Sequence, residues 1–329
     1  MEKIRLGTIG SGKIVHSILN GVMETEGISL EAVYSRTNAN AEELAAKYGC
    51  SKAYTDMDMF LEDKDINTIY IASPNSLHYY QAKKALLAGK NVICEKPFVP
   101  RAKEALDLYK ISNEKNLYLI EAVPTPYLPN YMVLKRELHK IGKIKLVMSN
   151  YSQYSSRYDQ VLSGEKPNIF NPEYAGGCLM DINFYNIYLN IALFGMPERA
   201  EYYPNIYPGL SDTSGIMVMD YGDFLSQNAG AKDTWGINFF QIEGENGYIY
   251  VENGSNTLSS VKVVTKNSSE IFNEQPESDR WKYEIRKLTE IILGNNRAEI
   301  DKNAEITIKT VETMENARKK AGIVFPGDI

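Results

Sequence analysis

Three short stretches hold side chains of the kinds that bind phosphate or move protons. In IRLGTIGSGKIV (4–15), Gly10 and Gly12 stand where an apolar run gives way to a helical pattern. Residues without a Cβ at such a turn let bare backbone approach a pyrophosphate held at a helix's positive end. Val15 occupies the place of a third glycine, so strand and helix must pack differently there. In VICEKPFV (92–99), Glu95 and Lys96 end an apolar run and Pro97 follows; the X-Pro peptide is the one at which the cis form is accessible. GCLMDINFYNIYLNIALF (177–194) is apolar nearly all round. At 3.6 residues per turn its Asp181, Tyr185 and Tyr188 share one face, while Asn183, Asn186 and Asn190 gather on the opposite one. Two polar stripes on a buried helix need partners on both sides.

About 25 residues after Gly10, where AVYSRTNAN ends the second apolar run, an NAD-selective site carries an acid that binds both ribose hydroxyls. Ser35, Arg36 and Thr37 stand there instead. Hydroxyl donors and a guanidinium suit a 2′-phosphate, so NADP is the expected cofactor, with NAD as the second option. Lys13 and Ile14, in the first turn after Gly12, complete the expected phosphate-binding set.

Positioning these groups requires strands and helices in strict alternation. Apolar runs at 4–9, 29–35, 53–55, 67–72, 91–95 and 117–121 alternate with amphipathic stretches at 13–24, 39–48, 76–88 and 101–115. That order predicts a parallel sheet covered by helices on both faces. Ligands bind such sheets outside the carboxyl ends of the strands, near the point where strand order reverses. The residues leaving the fourth and fifth strands, Ser73, Asn75 and His78 in SPNSLH and then Glu95 and Lys96, are therefore placed to flank a nicotinamide. His78 has a structural option as well, capping the helix that begins there.

After EAVPTPYLP the pattern changes to helices at 129–140 and 177–194, then to strand-rich sequence with hairpin signals at DYGD, GENG and ENGS, and finally to helices at 278–293 and 303–320. The expected fold class is α/β, a doubly wound parallel sheet over 1–122, followed by an α+β domain over 123–329 with a large, mostly antiparallel sheet. Pro124 and Pro126 mark the boundary.

Composition excludes several classes. With 43% apolar and 24% charged residues the 329-residue chain is expected to fold into two globular domains. A net charge of −6 without a dense basic block argues against a nucleic-acid partner. No apolar run approaches the ~18–20 residues of a membrane span, and MEKIRLGTIG lacks a signal-peptide core, so the expected location is the cytoplasm. Cys50, Cys94 and Cys178 fit neither a disulfide framework nor a zinc pair, and His16, His78 and His139 lack metal-ligand spacing. No metal is expected.

The glycine loop, Pro74-Asn75 with His78, Glu95-Lys96-Pro97 and AGGCLMDINFY (175–185) together resemble the glucose–fructose oxidoreductase, inositol dehydrogenase and MocA-type family (Gfo/Idh/MocA), over nearly the whole chain. The resemblance implies a Rossmann-like domain, a second domain whose sheet forms a homodimer interface or that of a higher homo-oligomer, and metal-free NAD(P)-dependent chemistry on a sugar, cyclitol or dihydrodiol-like carbinol. It also implies that Tyr185 exchanges a proton with the reacting oxygen, with Lys96 stabilising the developing charge and tuning the phenol. Asp181 would orient Lys96 or bind a second substrate hydroxyl. The converse assignment, Lys96 as proton shuttle and Tyr185 as orienter, stays open. So do a non-catalytic NAD(P)-sensing regulator and a reductase of a larger, biliverdin-like ligand. Two departures stand out: Asn183 where the family's motif carries glycine, and Pro124-Thr125-Pro126-Tyr127 where the dihydrodiol dehydrogenase branch resembles Trp-Thr-Arg-Phe.

Overall fold

The structure, a computed structural model, describes residues 2–328. They form two compact units: residues up to Val123 together with Trp281–Ile308, and Pro124–Arg280 together with the residues from Lys309 on.

In the first unit, β1 (Ile4–Ile9), β2 (Ile28–Tyr34), β3 (Ala53–Tyr54), β4 (Thr68–Ile71), β5 (Asn91–Glu95) and β6 (Leu119–Ala122) form a sheet of order β3-β2-β1-β4-β5-β6. All its pairings are parallel. Between them run α1 (Lys13–Met23), α2 (Asn38–Lys47), α3 (Met57–Glu62), α4 (His78–Leu87) and α5 (Ala102–Glu114). β4, β5 and β6 are buried along their whole length, as strands covered on both faces must be. The order reverses between β1 and β4, which places the crevice beside the end of β1.

The sequence pattern predicts a second domain over 123–329. The structure instead packs α9 (Arg280–Leu293), from Trp281 on, and the start of α10 (Arg297–Lys320) on the first unit. The cause is an amphipathic α9 whose Ile285, Leu288, Ile291 and Ile292 are buried. Ile285 lies against Gly21 of α1, and Lys282 pairs with Glu24 at 2.6 Å. Farther on, Arg297 donates to the Leu117 and Asn116 carbonyls.

The second unit holds an eight-stranded sheet of order β14-β13-β12-β11-β7-β10-β9-β8. Its strands are β7 (Ile144–Ser152), β8 (Arg199–Ile206), β9 (Asp212–Asp220), β10 (Leu225–Ala231), β11 (Phe239–Gly244), β12 (Gly247–Glu252), β13 (Ser260–Thr265) and β14 (Ser269–Phe272). β7 and β10 run parallel and the other neighbours antiparallel. The helices of this unit are α6 (Pro129–Glu137), α7 (Ser156–Leu162), α8 (Phe184–Phe194) and the end of α10. One π-helical turn, Leu179–Asn183, leads into α8.

α8 meets the sheet through its asparagine stripe. Asn183 donates to the Asn228 carbonyl at 3.2 Å, Asn186 to the Ala229 carbonyl at 2.9 Å, and Asn190 to Asn228 Oδ1 at 2.8 Å. Ser149 and Ser226 complete the network from β7 and β10. Each of the three asparagines is fully buried yet bonded, which is the condition for keeping amides in a core.

Candidate active site

In the first unit a cleft of about 460 Å³ opens at the end of β1. Gly10 makes its floor possible. Its φ is +116°, and a Cβ there would lie 2.5 Å from the Ala72 carbonyl oxygen at the end of β4, so only glycine lets the two strand ends approach. At Gly12 a Cβ would meet nothing within 4 Å, which leaves its backbone open to the cleft. Gly12 is also the N-cap of α1, with no side chain capping it and no acid in the first turn. Uncapped N–H groups at a helix start attract an anion. Val15, in the third-glycine position, is fully buried and packs toward Gly10.

Arg36, Thr37 and Asn40 are exposed along the same cleft, beside buried Ser35. No acidic residue lines it. Donors, a guanidinium and bare backbone in one crevice fit a dinucleotide phosphorylated on its ribose. Ser73 lines it too and donates to Gln81 at 2.6 Å. Gln81 and Asn40 escaped the sequence reading. Gln81 lies one turn after His78 on α4, a spacing that would have found it.

The remaining nominated residues lie outside the lining of this cleft. Lys13 is exposed and Ile14 half-buried at the start of α1, and Asn75 opens a short 3₁₀ turn. His78 is a correction to its assignment as a cofactor contact. Its imidazole is 1% exposed, with Nδ1 3.1 Å from the Pro97 carbonyl and 3.2 Å from that of Phe98, and Nε2 2.9 Å from that of Ser73. Burial pushes its pKa below the ordinary value. The ring is a strut between the loops after β4 and β5.

Lys96 leaves β5 half-buried, and the Lys96–Pro97 peptide is cis. Two buried carboxylates hold the backbone around it. Glu95 accepts from the Lys96 N–H at 3.2 Å and from the Tyr70 hydroxyl at 2.6 Å. Glu121, which the sequence reading missed, accepts from the Phe98 N–H at 2.8 Å and from the Thr307 hydroxyl at 2.7 Å. Burial raises the Glu121 pKa to about 7, against the lowering effect of those two bonds.

In the second unit Tyr185 is 4% exposed. Its ring meets those of Tyr151 and Phe184, at 6.0 and 5.7 Å between centroids, and the Arg280 guanidinium lies 5.4 Å from its centroid. Arg280 donates to the Asn256 carbonyl, and the Asn256 amide donates to the Tyr151 hydroxyl at 2.6 Å. Asp181 forms an ion pair with Lys232. Nothing in the sequence around Lys232 announced this. The π turn that carries Asp181 is anchored by Asp212, which accepts from the Leu179 N–H at 2.7 Å. Gly177, at φ +136°, permits that approach, since a Cβ there would fall 2.1 Å from an Asp212 oxygen.

The signature described as an oxidoreductase family with an NAD-binding Rossmann fold matches residues 4–122. Scyllo-inositol 2-dehydrogenase (NADP(+)) of Bacillus subtilis is 33% identical over 99% of both chains, and D-xylose 1-dehydrogenase (NADP(+)) 2 of Haloferax volcanii is 22% identical over 97% of this chain and 98% of its own. The fold is shared with a 3-ketoreductase from Actinomadura kijaniata, solved in complex with NADP and TDP-benzene, at a TM-score of 0.84 and 20% identity over 96% of this chain and 97% of that one. With similarity extending from end to end of these relatives, the chain belongs to the Gfo/Idh/MocA family of oxidoreductases.

Proposed function

We propose that the chain is an NADP-dependent oxidoreductase that interconverts a carbinol and a carbonyl on a small sugar, cyclitol or dihydrodiol-like substrate. The observation that carries this reading is Arg36, exposed on the cleft that Gly10 and Gly12 open, where no acid stands. The names of two relatives, which pair NADP(+) with scyllo-inositol and with D-xylose, support a polyhydroxylated substrate. The first unit is assigned to the cofactor, and the second to the substrate and to assembly into a homodimer or higher homo-oligomer through its large sheet.

Gly10 and Gly12 present backbone to the pyrophosphate, and Arg36, with Ser35 and Thr37, holds the 2′-phosphate. The chemistry a bound cofactor would supply there is hydride transfer, to NADP(+) when a carbinol is oxidised or from NADPH when a carbonyl is reduced. Tyr185 exchanges a proton with the substrate oxygen, Lys96 stabilises the negative charge that develops there, and Asp181 accepts a hydrogen bond from a second substrate hydroxyl. Glu95, Glu121 and His78 act behind Lys96 by fixing the backbone from 96 to 98.

The test is a panel of scyllo-inositol, myo-inositol, D-xylose, D-glucose and trans-1,2-cyclohexanediol, followed by nicotinamide absorbance with NADP and NAD in parallel. Turnover of at least one polyol with NADP is expected. Tight NADP binding without turnover of any would favour a sensor over an enzyme, and activity with NAD alone would overturn the role of Arg36.

A further inference from the structure

Trp235, on the loop between β10 and β11, is 76% exposed. Lone exposed apolar residues are ordinary on a protein surface, but the loop around this one is anchored on both sides. Before it, the Lys232 carbonyl accepts from the Ser155 N–H at 2.9 Å. After it, the Ile237 carbonyl accepts from the Asn150 amide and Asn238 Oδ1 from the Ser152 N–H, both at 2.8 Å. Gly236 lets the loop lie against β7: a Cβ there would fall 2.9 Å from Asn150 Nδ2 and from Ser152 Cβ. The indole stacks on Tyr154, with 5.6 Å between centroids and 12° between planes. Tyr154 is fixed in turn by its hydroxyl, which donates to Asp159 Oδ1 at 2.7 Å. One face of the indole is thus covered by a held ring, and its exposure leaves the other open. A flat apolar face presented on an anchored loop loses little freedom when a ligand covers it.

From Trp235 a run of rings leads inward. Tyr154 meets Tyr158 edge-on at 5.9 Å, and Tyr158 meets Phe170 at 6.1 Å. The Lys232 ammonium, paired with Asp181, lies 5.7 Å from the centre of Phe170. By the chain itself, Tyr154 stands three residues beyond Tyr151, whose ring meets that of Tyr185. Three residues span at most ~10 Å. The intervening rings set the open indole face beyond the width of one pyranose ring, while the short link along β7 keeps it within reach of two linked rings. Gln153 and Thr234, both exposed, flank Tyr154 and Trp235 in sequence, so hydrogen-bonding groups adjoin the apolar face. A pyranose ring pairs the same features, C–H groups on its faces and hydroxyls at its edge.

We infer that Trp235, stacked on Tyr154, is a second sugar-binding subsite, and that the substrate is a glycoside whose non-reacting ring lies on the indole. The inference rests on the assignment of Asp181 and Tyr185 to the substrate given above. It goes beyond that reading by requiring a second ring and by naming the surface that holds it.

The test titrates the full-length protein, with and without NADPH, with cellobiose, maltose and lactose beside D-glucose and scyllo-inositol, followed by tryptophan emission and by calorimetry. At least one disaccharide is expected to shift the emission to the blue, with saturation, and to bind about 10-fold or more tightly than D-glucose. Trp235→Ala is expected to abolish the emission change and to lower the disaccharide-to-glucose affinity ratio by about 10-fold. Trp235→Phe, which keeps a ring but not the indole, should also lose the emission change, with the calorimetric ratio within about threefold of wild type.

The absence of a saturable change with every disaccharide overturns the inference. So does an equal loss of affinity for disaccharide and glucose in Trp235→Ala. A change of oligomeric state in that variant, read by sedimentation, would place the indole in a subunit contact and overturn it as well. Because the readout is binding, saturable disaccharide binding at Trp235 without turnover upholds the subsite and counts against the proposed activity alone.

Discussion

A Cβ added to Gly230 on β10 would fall 2.6 Å from the Cβ of Asn183 and 3.1 Å from the Cys178 sulfur. This accounts for the asparagine at a position where the family's motif carries glycine. Asn183 has ordinary right-handed helical backbone angles, φ −69° and ψ −18°, so it needs no special conformation, and the room for its side chain comes from the missing one at 230. Gly230→Ala should destabilise the second unit by overpacking, about 1–3 kcal/mol. In an Asn183→Gly background the same change should cost markedly less, because the closer of the two contacts is gone and only that with the Cys178 sulfur remains. Denaturant unfolding of the two single variants and the double variant checks this, and strict additivity would refute the pairing.

Glu121 predicts a pH dependence of stability. Its folded-state pKa, about 7, lies above the ordinary 4.5 because burial disfavours the charged form. Between those values the folded chain binds more protons than the unfolded one, so stability falls as pH rises. The contribution is fully present below about pH 4.5 and lost by about pH 7. It is on the order of 3 kcal/mol for a shift of this size. Glu121→Gln removes the titration while keeping an acceptor for the Phe98 N–H. The difference in stability between wild type and this variant should therefore change from pH 5 to pH 8 in the direction of wild-type loss. A difference that stays flat across that range would mean Glu121 is ionised throughout.

The alternation of strands and helices in the first half was readable because each apolar run is punctuated by glycine, proline or a polar turn. α3 and α7, at 6 and 7 residues, are too short for a helical period to declare itself. Their caps were the available signal: Asp56 accepts from Asp58 and Met59 N–H groups, and Ser155 from that of Arg157. The packing of Trp281–Ile308 on the first unit was not readable, since linear order does not say which core an amphipathic helix will cover. The two stripes on 177–194 were legible as a need for partners, and the asparagine stripe found them on β10. Lys232 was not legible, because a lone lysine after a strand reads as solvated and its partner stands 51 residues away. His78 was ambiguous in sequence between a contact to cofactor or substrate and a cap on the helix that begins there; its burial against the carbonyls of Ser73, Pro97 and Phe98 comes from the loops after β4 and β5, which linear order does not bring together.

Arg36 is exposed and lines the cleft without an acid nearby to hold NAD's ribose. Arg36→Ala should weaken NADPH binding by about 10- to 100-fold, the loss of one or two charge-assisted hydrogen bonds. NADH binding should change less than about threefold, because no 2′-phosphate is involved. Fluorescence titration of both nucleotides measures this. The NADPH loss should shrink as salt rises, since the contact is solvent-exposed and screened. Equal losses for the two nucleotides would instead place Arg36 against the adenine.

Tyr185 is enclosed by Tyr151, Phe184 and Arg280, so Tyr185→Phe removes a hydroxyl and leaves the packing of the ring in place. NADPH affinity should stay near wild type, while kcat falls by about 10²–10⁴, the usual worth of a positioned proton donor or acceptor. Lys96→Met should lower kcat by a comparable factor. If the two side chains serve one proton transfer, the double variant should be scarcely slower than the worse single one, because groups that act as a unit are strongly non-additive. Multiplicative losses would mean that Lys96 and Tyr185 serve separate steps. A Tyr185→Phe enzyme within about threefold of wild type would transfer the proton role to Lys96.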